Sequence, residues 1–192
     1  GTLVKHAEQG DDVTCVAMCE TRALEGWHAA AAVLGASTLD GPGYPDQRLD
    51  DYAPFSFVAG AVEAIAVDNG GADLVYTHWP YDLNLDHQIT ARAVLTAFSP
   101  HEFKGTLLAF ETLSSTEWGV RPFEPNWWEE LSETHIEKKV RALNCYPSEI
   151  RTQPHPRNPQ GVRNKARQRG DEACVEYAEA FPLLRRGPGK EN

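Results

Sequence analysis

Residues 75–90 read VYTHWPYDLNLDHQIT. Val75, Tyr76 and Thr77 have the β-branched and aromatic character of a strand. His78, Asp82, Asn84, Asp86 and His87 then crowd around Trp79 and Pro80, and a helix-like apolar spacing begins. Asn84 or Asp86 suits the cap of a helix starting near His87. A neutral imidazole with a carboxylate nearby also suits zinc, the carboxylate fixing the tautomer. Both roles can hold at once. His78, one turn of loop away, is expected to bond to backbone.

Working outward, helix-like and strand-like segments alternate. Helices are expected over 2–9, stopping at Gly10, over 24–34, ending at Gly35, over 55–67, over 87–98 and over 132–143. Strands are expected over 13–18, 73–77 and 106–110, with a short one at 38–39. The stretches DGPGYPDQRLDDYAP (40–54) and SSTEWGVRPFEPNWW (114–128) read as loops, and YAEAFPLL (177–184) as one short closing element. Strands alternating with helices argue for an α/β fold, a mostly parallel sheet covered on both faces in three layers. Ligands in such folds bind beyond the carboxyl ends of the strands, where the 78–86 loop lies.

Composition sets the outer bounds. A chain of 192 residues with 41% hydrophobic content suits a single domain over 1–192. The formal net charge of −10 opposes general binding to nucleic acid or to anionic membranes. No apolar run approaches the ~20 residues of a membrane span, and no signal peptide is seen, so a cytoplasmic location is expected. Cys15, Cys19, Cys145 and Cys174 lack CxxC spacing and read as small core residues. The run 151–169 holds six basic residues, suited either to gripping a phosphate or to a solvated helix face. Trp118, Trp127 and Trp128 are expected in loops, packing on a sugar ring or on the core.

The segment 72–100 around DLNLDH, with FETLSSTEW, FEPNWW, KKVRALNCYPSEIRTQPHPRN and YAEAF, resembles the PIG-L/LmbE family of zinc-dependent N-deacetylases across essentially the whole chain. The resemblance implies a Rossmann-like fold, a zinc cofactor and hydrolysis of an N-acetyl group on an amino sugar or glycoconjugate. His87 matches the family's zinc-binding histidine, and Asp86 the acidic residue beside it, expected as its orienter. Asn84 stands where many members carry a second histidine; an amide donates to an oxyanion but supplies no proton at neutral pH. The general acid is then Asp82 or a residue elsewhere. Asp46 matches a substrate-lining loop, and Arg22, followed by Glu25, a substrate-contacting arginine.

The family's first motif, His-Pro-Asp-Asp after the first strand, supplies two further zinc ligands and the general base. No such motif, and no HxxD or HExxH spacing, occurs among the seven histidines. The resemblance therefore leads to the expectation of a fragment lacking the first strand, inactive by itself, with an open groove beside the 13–18 or 73–77 strand. The rival from another class is a non-catalytic Rossmann-like domain binding a nucleotide or a protein; GPGYPD, with two prolines where a helix should open, is a poor phosphate loop. A metal-dependent phosphoesterase would call for more carboxylate ligands.

Overall fold

The computed structural model describes residues 1–20, 24–52, 55–68 and 71–188. In chain order the elements are α1 (Thr2–Gln9), β1 (Thr14–Cys19), α2 (Leu24–Leu34), β2 (Ser37–Tyr44), α3 (Leu49–Tyr52), α4 (Phe55–Asp68), β3 (Leu74–His78), α5 (Leu85–Ala97), β4 (Thr106–Phe110), β5 (Trp127–Leu131), α6 (Glu133–Asn144), α7 (Pro159–Ala173), β6 (Tyr177–Phe181) and β7 (Leu183–Arg186). The alternation is that of a mixed α/β chain. No described helix is long and apolar enough to cross a membrane.

Local chemistry accounts for the boundaries. Gly10 closes α1 in the left-handed conformation (φ +89°), its N–H bonding back to Ala7 and His6. Ser132 caps α6 with a reciprocal bond from its own N–H to His135. Pro182, which has no N–H to pair, splits the expected single closing element into β6 and β7, and its carbonyl accepts from Ala109 N at 2.9 Å. β2 runs through Asp40–Tyr44, read above as loop, and Gly43 supplies a positive φ there.

The chain forms two compact units. One gathers α1, α2, α6 and α7, with α6 packed against the other three helices. Leu131, Ile136, Ala166 and Tyr177 form its buried cluster. Gly26 lets α2 approach closely: a Cβ there would lie 2.6 Å from the Cys145 carbonyl oxygen. Glu179 on β6 accepts from Thr2 N (2.7 Å) and Thr2 Oγ1 (2.6 Å), and pairs with Lys139. Burial alone would raise its pKa, but Lys139 and the Thr2 donors outweigh burial and hold the carboxyl well below the usual range. A depressed carboxylate stabilises the fold fully above its unfolded pKa, near 4.3, and loses that contribution as pH falls. Glu179→Gln should therefore cost about 2 kcal/mol at pH 7 and much less at pH 3, read as urea midpoints at the two pH values.

The other unit holds α3, α4, α5 and the three-stranded sheet β3-β4-β7. β3 and β4 are parallel, registered from Leu74↔Thr106 to His78↔Phe110, whereas β7 runs antiparallel to β4 with a bulge at Leu107/Leu108. Successive residues Leu107, Leu108 and Ala109 have no exposure, so the central strand is covered on both faces. Val58, Ala59 and Val62 of α4 pack with Ala93 and Val94 of α5, Phe103 and Leu107 in one cluster. The second edge of β3 carries no strand among the described residues.

Members of the basic run are paired with acidic or hydroxyl partners; Arg169 is buried, whereas Arg151 and Arg167 face solvent. Arg157 pairs with Glu149 (2.6 Å), Arg163 with Glu133, and Arg169 with Glu172 (2.8 Å), while Arg167 donates to Tyr177 Oη at 2.7 Å. Cys174 is exposed at the end of α7 rather than buried in a core.

Candidate functional site

The polar crowd sits at the carboxyl end of β3, as the strand-end argument requires. α5 begins two residues earlier than expected because Asn84 is its N-cap, Oδ1 accepting from Asp86 N at 2.9 Å. His87 consequently lies in the first turn of the helix.

Asp82 is the hub. Its carboxylate is 1% exposed and takes four donors: His87 Nδ1 (3.0 Å), Asn84 N (3.0 Å), Thr116 Oγ1 (2.6 Å) and Ser115 Oγ. Burial pushes its pKa up, but the bonds from His87, Ser115, Thr116 and Asn84 together hold it far below the ordinary carboxylate range. Such a group is ionised at neutral pH and has no proton to donate. The His87 ring also stacks on His78, centroids 3.9 Å apart and planes 8° from parallel. His78 meets Thr112 Oγ1 at 3.5 Å rather than a backbone group, and burial pushes its pKa down to about 3.

Asp86, expected to orient His87, faces elsewhere. Neighbouring helix residues point about 100° apart, and the Asp86 carboxylate accepts from Leu49 N (3.1 Å) and Cys19 Sγ (3.6 Å), tying β1 and α3 to α5. Cys19 is thus a hydrogen-bonding partner and not a core filler. Asp46 joins Cys19 and Asp86 in a cluster whose ligand atoms lie within 4.8 Å of one another. Burial, then Asp86 and Asp46, push the Cys19 thiol up to about 12, so it is protonated at neutral pH and the cluster lacks a thiolate. Arg22 lies outside the described residues.

Aromatic groups flank the loop. Trp79 packs edge-on against Tyr81 and Phe123, and Arg121 lies 4.3 Å over the Tyr81 ring. Trp118 is 51% exposed in a short 3-10 turn over Thr116–Trp118. Trp127 and Trp128 start β5 instead of lying in a loop, and Trp128 Nε1 donates to Glu172 at 3.0 Å.

No family model matches the sequence, and no curated protein is significantly similar to it. Solved structures are. The chain superposes on N,N'-diacetylchitobiose deacetylase from Pyrococcus horikoshii with a TM-score of 0.72 at 18% identity, covering 96% of this chain and 77% of that one. It superposes on the zinc-inhibited form of teicoplanin deacetylase Orf2 with a TM-score of 0.73 at 16% identity, covering 98% and 93%. The fold is that of the PIG-L/LmbE deacetylases. Chemistry on the PIG-L/LmbE fold is not uniform: the 4-carboxy-2-hydroxymuconate hydratase GalB from Pseudomonas putida KT2440 matches at TM-score 0.63 and 19% identity, covering 100% and 92%.

His87 fits one position of a zinc site, since the bond from Nδ1 to Asp82 turns Nε2 away as a ligand atom. Among the described residues, the single group of three metal-binding side chains is Cys19, Asp46 and Asp86, which does not include His87. A zinc site at His87 therefore needs donors from outside these residues. Ser115 and Thr116 were not singled out by sequence reasoning. The signal was present in FETLSSTEW, which follows β4 as the DLNLDH loop follows β3.

Proposed function

We propose that this chain carries the His87 half of a hydrolase site that removes the N-acetyl group from an amino sugar or glycoconjugate, with zinc as the cofactor. The observation that supports this most is His87 itself: a histidine in the first turn of α5, its ring pinned by Asp82 and His78, in a fold shared with two deacetylases. The hydratase on the same fold means that the fold alone does not carry the reading.

In this reading His87 contributes one zinc ligand through Nε2. Zinc, when bound, supplies a Lewis acid and an activated water. Asn84 offers its carboxamide nitrogen to the developing oxyanion while its oxygen caps α5. Asp86 accepts from Leu49 N at the start of α3 and clusters with Cys19 and Asp46, a group that does not include His87. Asp46 and Arg22 are assigned to the substrate.

Asn84 gives the direct test. Asn84→Ala should lower turnover by about ten- to a thousandfold, the order associated with a lost oxyanion donor. It also removes a helix cap worth about 1 kcal/mol, so Asn84→Ser, which keeps the cap and loses the amide, separates the two effects. Asn84→His should retain activity with a shifted pH profile. Full activity in Asn84→Ser would remove Asn84 from the chemistry.

A further inference from the structure

The bonding around Asp82 has a consequence for His87 that the ligand assignment alone does not contain. We propose that Asp82, locked by Ser115 and Thr116, is a positioning residue that fixes His87 as its Nδ1–H tautomer and aims Nε2 as the lone-pair nitrogen.

The protons around Asp82 can be assigned one by one. Thr112 N donates to Thr116 Oγ1 at 2.7 Å, so the single hydroxyl proton of Thr116 is directed at Asp82 Oδ2, 2.6 Å away. Asn84 N–H can only donate, and it meets Asp82 Oδ1 at 3.0 Å, the same oxygen that meets His87 Nδ1. Ser115 Oγ approaches that oxygen too. An ionised carboxylate can only accept, so the proton in each of these contacts belongs to the partner. Nδ1 must therefore carry the proton, and in the neutral ring Nε2 is left bare.

Orientation is set at the same time. Stacking on His78 defines the plane of the ring, and the Nδ1 bond defines its rotation within that plane. His78 is itself held between Phe110, at 4.6 Å centroid distance, and Thr112. The clamp thus comes from one segment, residues 110–117, that follows β4 beside β3. Its backbone is tied down in turn: Ser114 N and Ser115 N donate to the Glu117 carboxylate at 2.8 and 3.2 Å. The arrangement makes Asp82 an acceptor rather than a proton donor, and the general acid of the reaction must come from elsewhere.

The catalytic meaning of this lock rests on His87 being the metal-binding histidine proposed above, but its test needs neither metal nor activity. Residues 1–192 labelled with ¹⁵N are examined by long-range ¹H–¹⁵N correlation of the histidine rings near pH 8, where a histidine of ordinary pKa is neutral. His87 should show a protonated Nδ1 and a bare Nε2, with at least about a tenfold excess of that tautomer, since a hydrogen bond to a charged partner exceeds that factor. Asp82→Asn should abolish the excess, Thr116→Val should reduce it, and Thr116→Ser, which keeps the hydroxyl, should restore it. A protonated Nε2 in the wild type overturns the proposal, as does an unchanged excess in a folded Asp82→Asn. If Asp82→Asn does not fold, the wild-type spectrum and the Thr116 pair decide. Failure to detect acetate release would leave this result standing, and failure of the tautomer would leave deacetylation standing.

Discussion

His87→Ala in the zinc-loaded protein is expected to remove amide hydrolysis and to lower zinc content well below one per chain, with the fold intact. The loss should exceed the roughly 10- to 100-fold change in metal affinity or activity seen when only an outer partner of a ligand is removed. The fold should survive because Asp82 keeps three of its four donors, Asn84 N, Ser115 and Thr116, when the imidazole goes. Helix α5 is capped by Asn84 and packed on α4 and β3 independently of the ring. Zinc stoichiometry by atomic absorption, together with near-ultraviolet circular dichroism, checks both halves. Unchanged zinc and turnover would remove His87 from the site.

The second large effect concerns the Asp82 carboxylate. Asp82→Ala leaves His87 Nδ1, Asn84 N, Ser115 Oγ and Thr116 Oγ1 without their shared acceptor, and a buried donor left unsatisfied costs about 1–3 kcal/mol. The variant should therefore unfold with roughly 3–5 kcal/mol less free energy than the wild type. Urea midpoints of the two chains test this, and equal midpoints would mean that Asp82 does not hold the loop after β3 to the segment after β4.

The parts of the fold legible in the sequence were those governed by local signals. The ranges of α2 and β4 come out as read, because Gly35 ends the first and an unbroken apolar run marks the second. β5 was hidden because Glu129 on its inward face, paired with Lys5 at 2.9 Å, breaks the apolar alternation. β2 was hidden by Gly41, Pro42 and Gly43, which normally mark turns but are tolerated in a short paired strand. The same division holds at the site. That Asn84 caps a helix and that the polar crowd lies at a strand end follow from residues within one segment. The partners of Asp82 at Ser115 and Thr116 are 33 and 34 residues away, and which carboxylate meets His87 depends on how α5 is rotated. Neither could be read from spacing. The pairings of the basic run were not legible for a similar reason: its acidic partners Glu133 and Glu149 lie outside it in sequence.

Amide hydrolysis is tested most directly by product analysis with the zinc-loaded protein on N-acetylated amino sugars. Acetate and free amine should appear in equal amounts, and chelation of zinc should stop both. Absence of acetate, with water added across a carbon–carbon double bond of an unsaturated acid instead, would align this chain with the hydratase on the same fold and contradict the account.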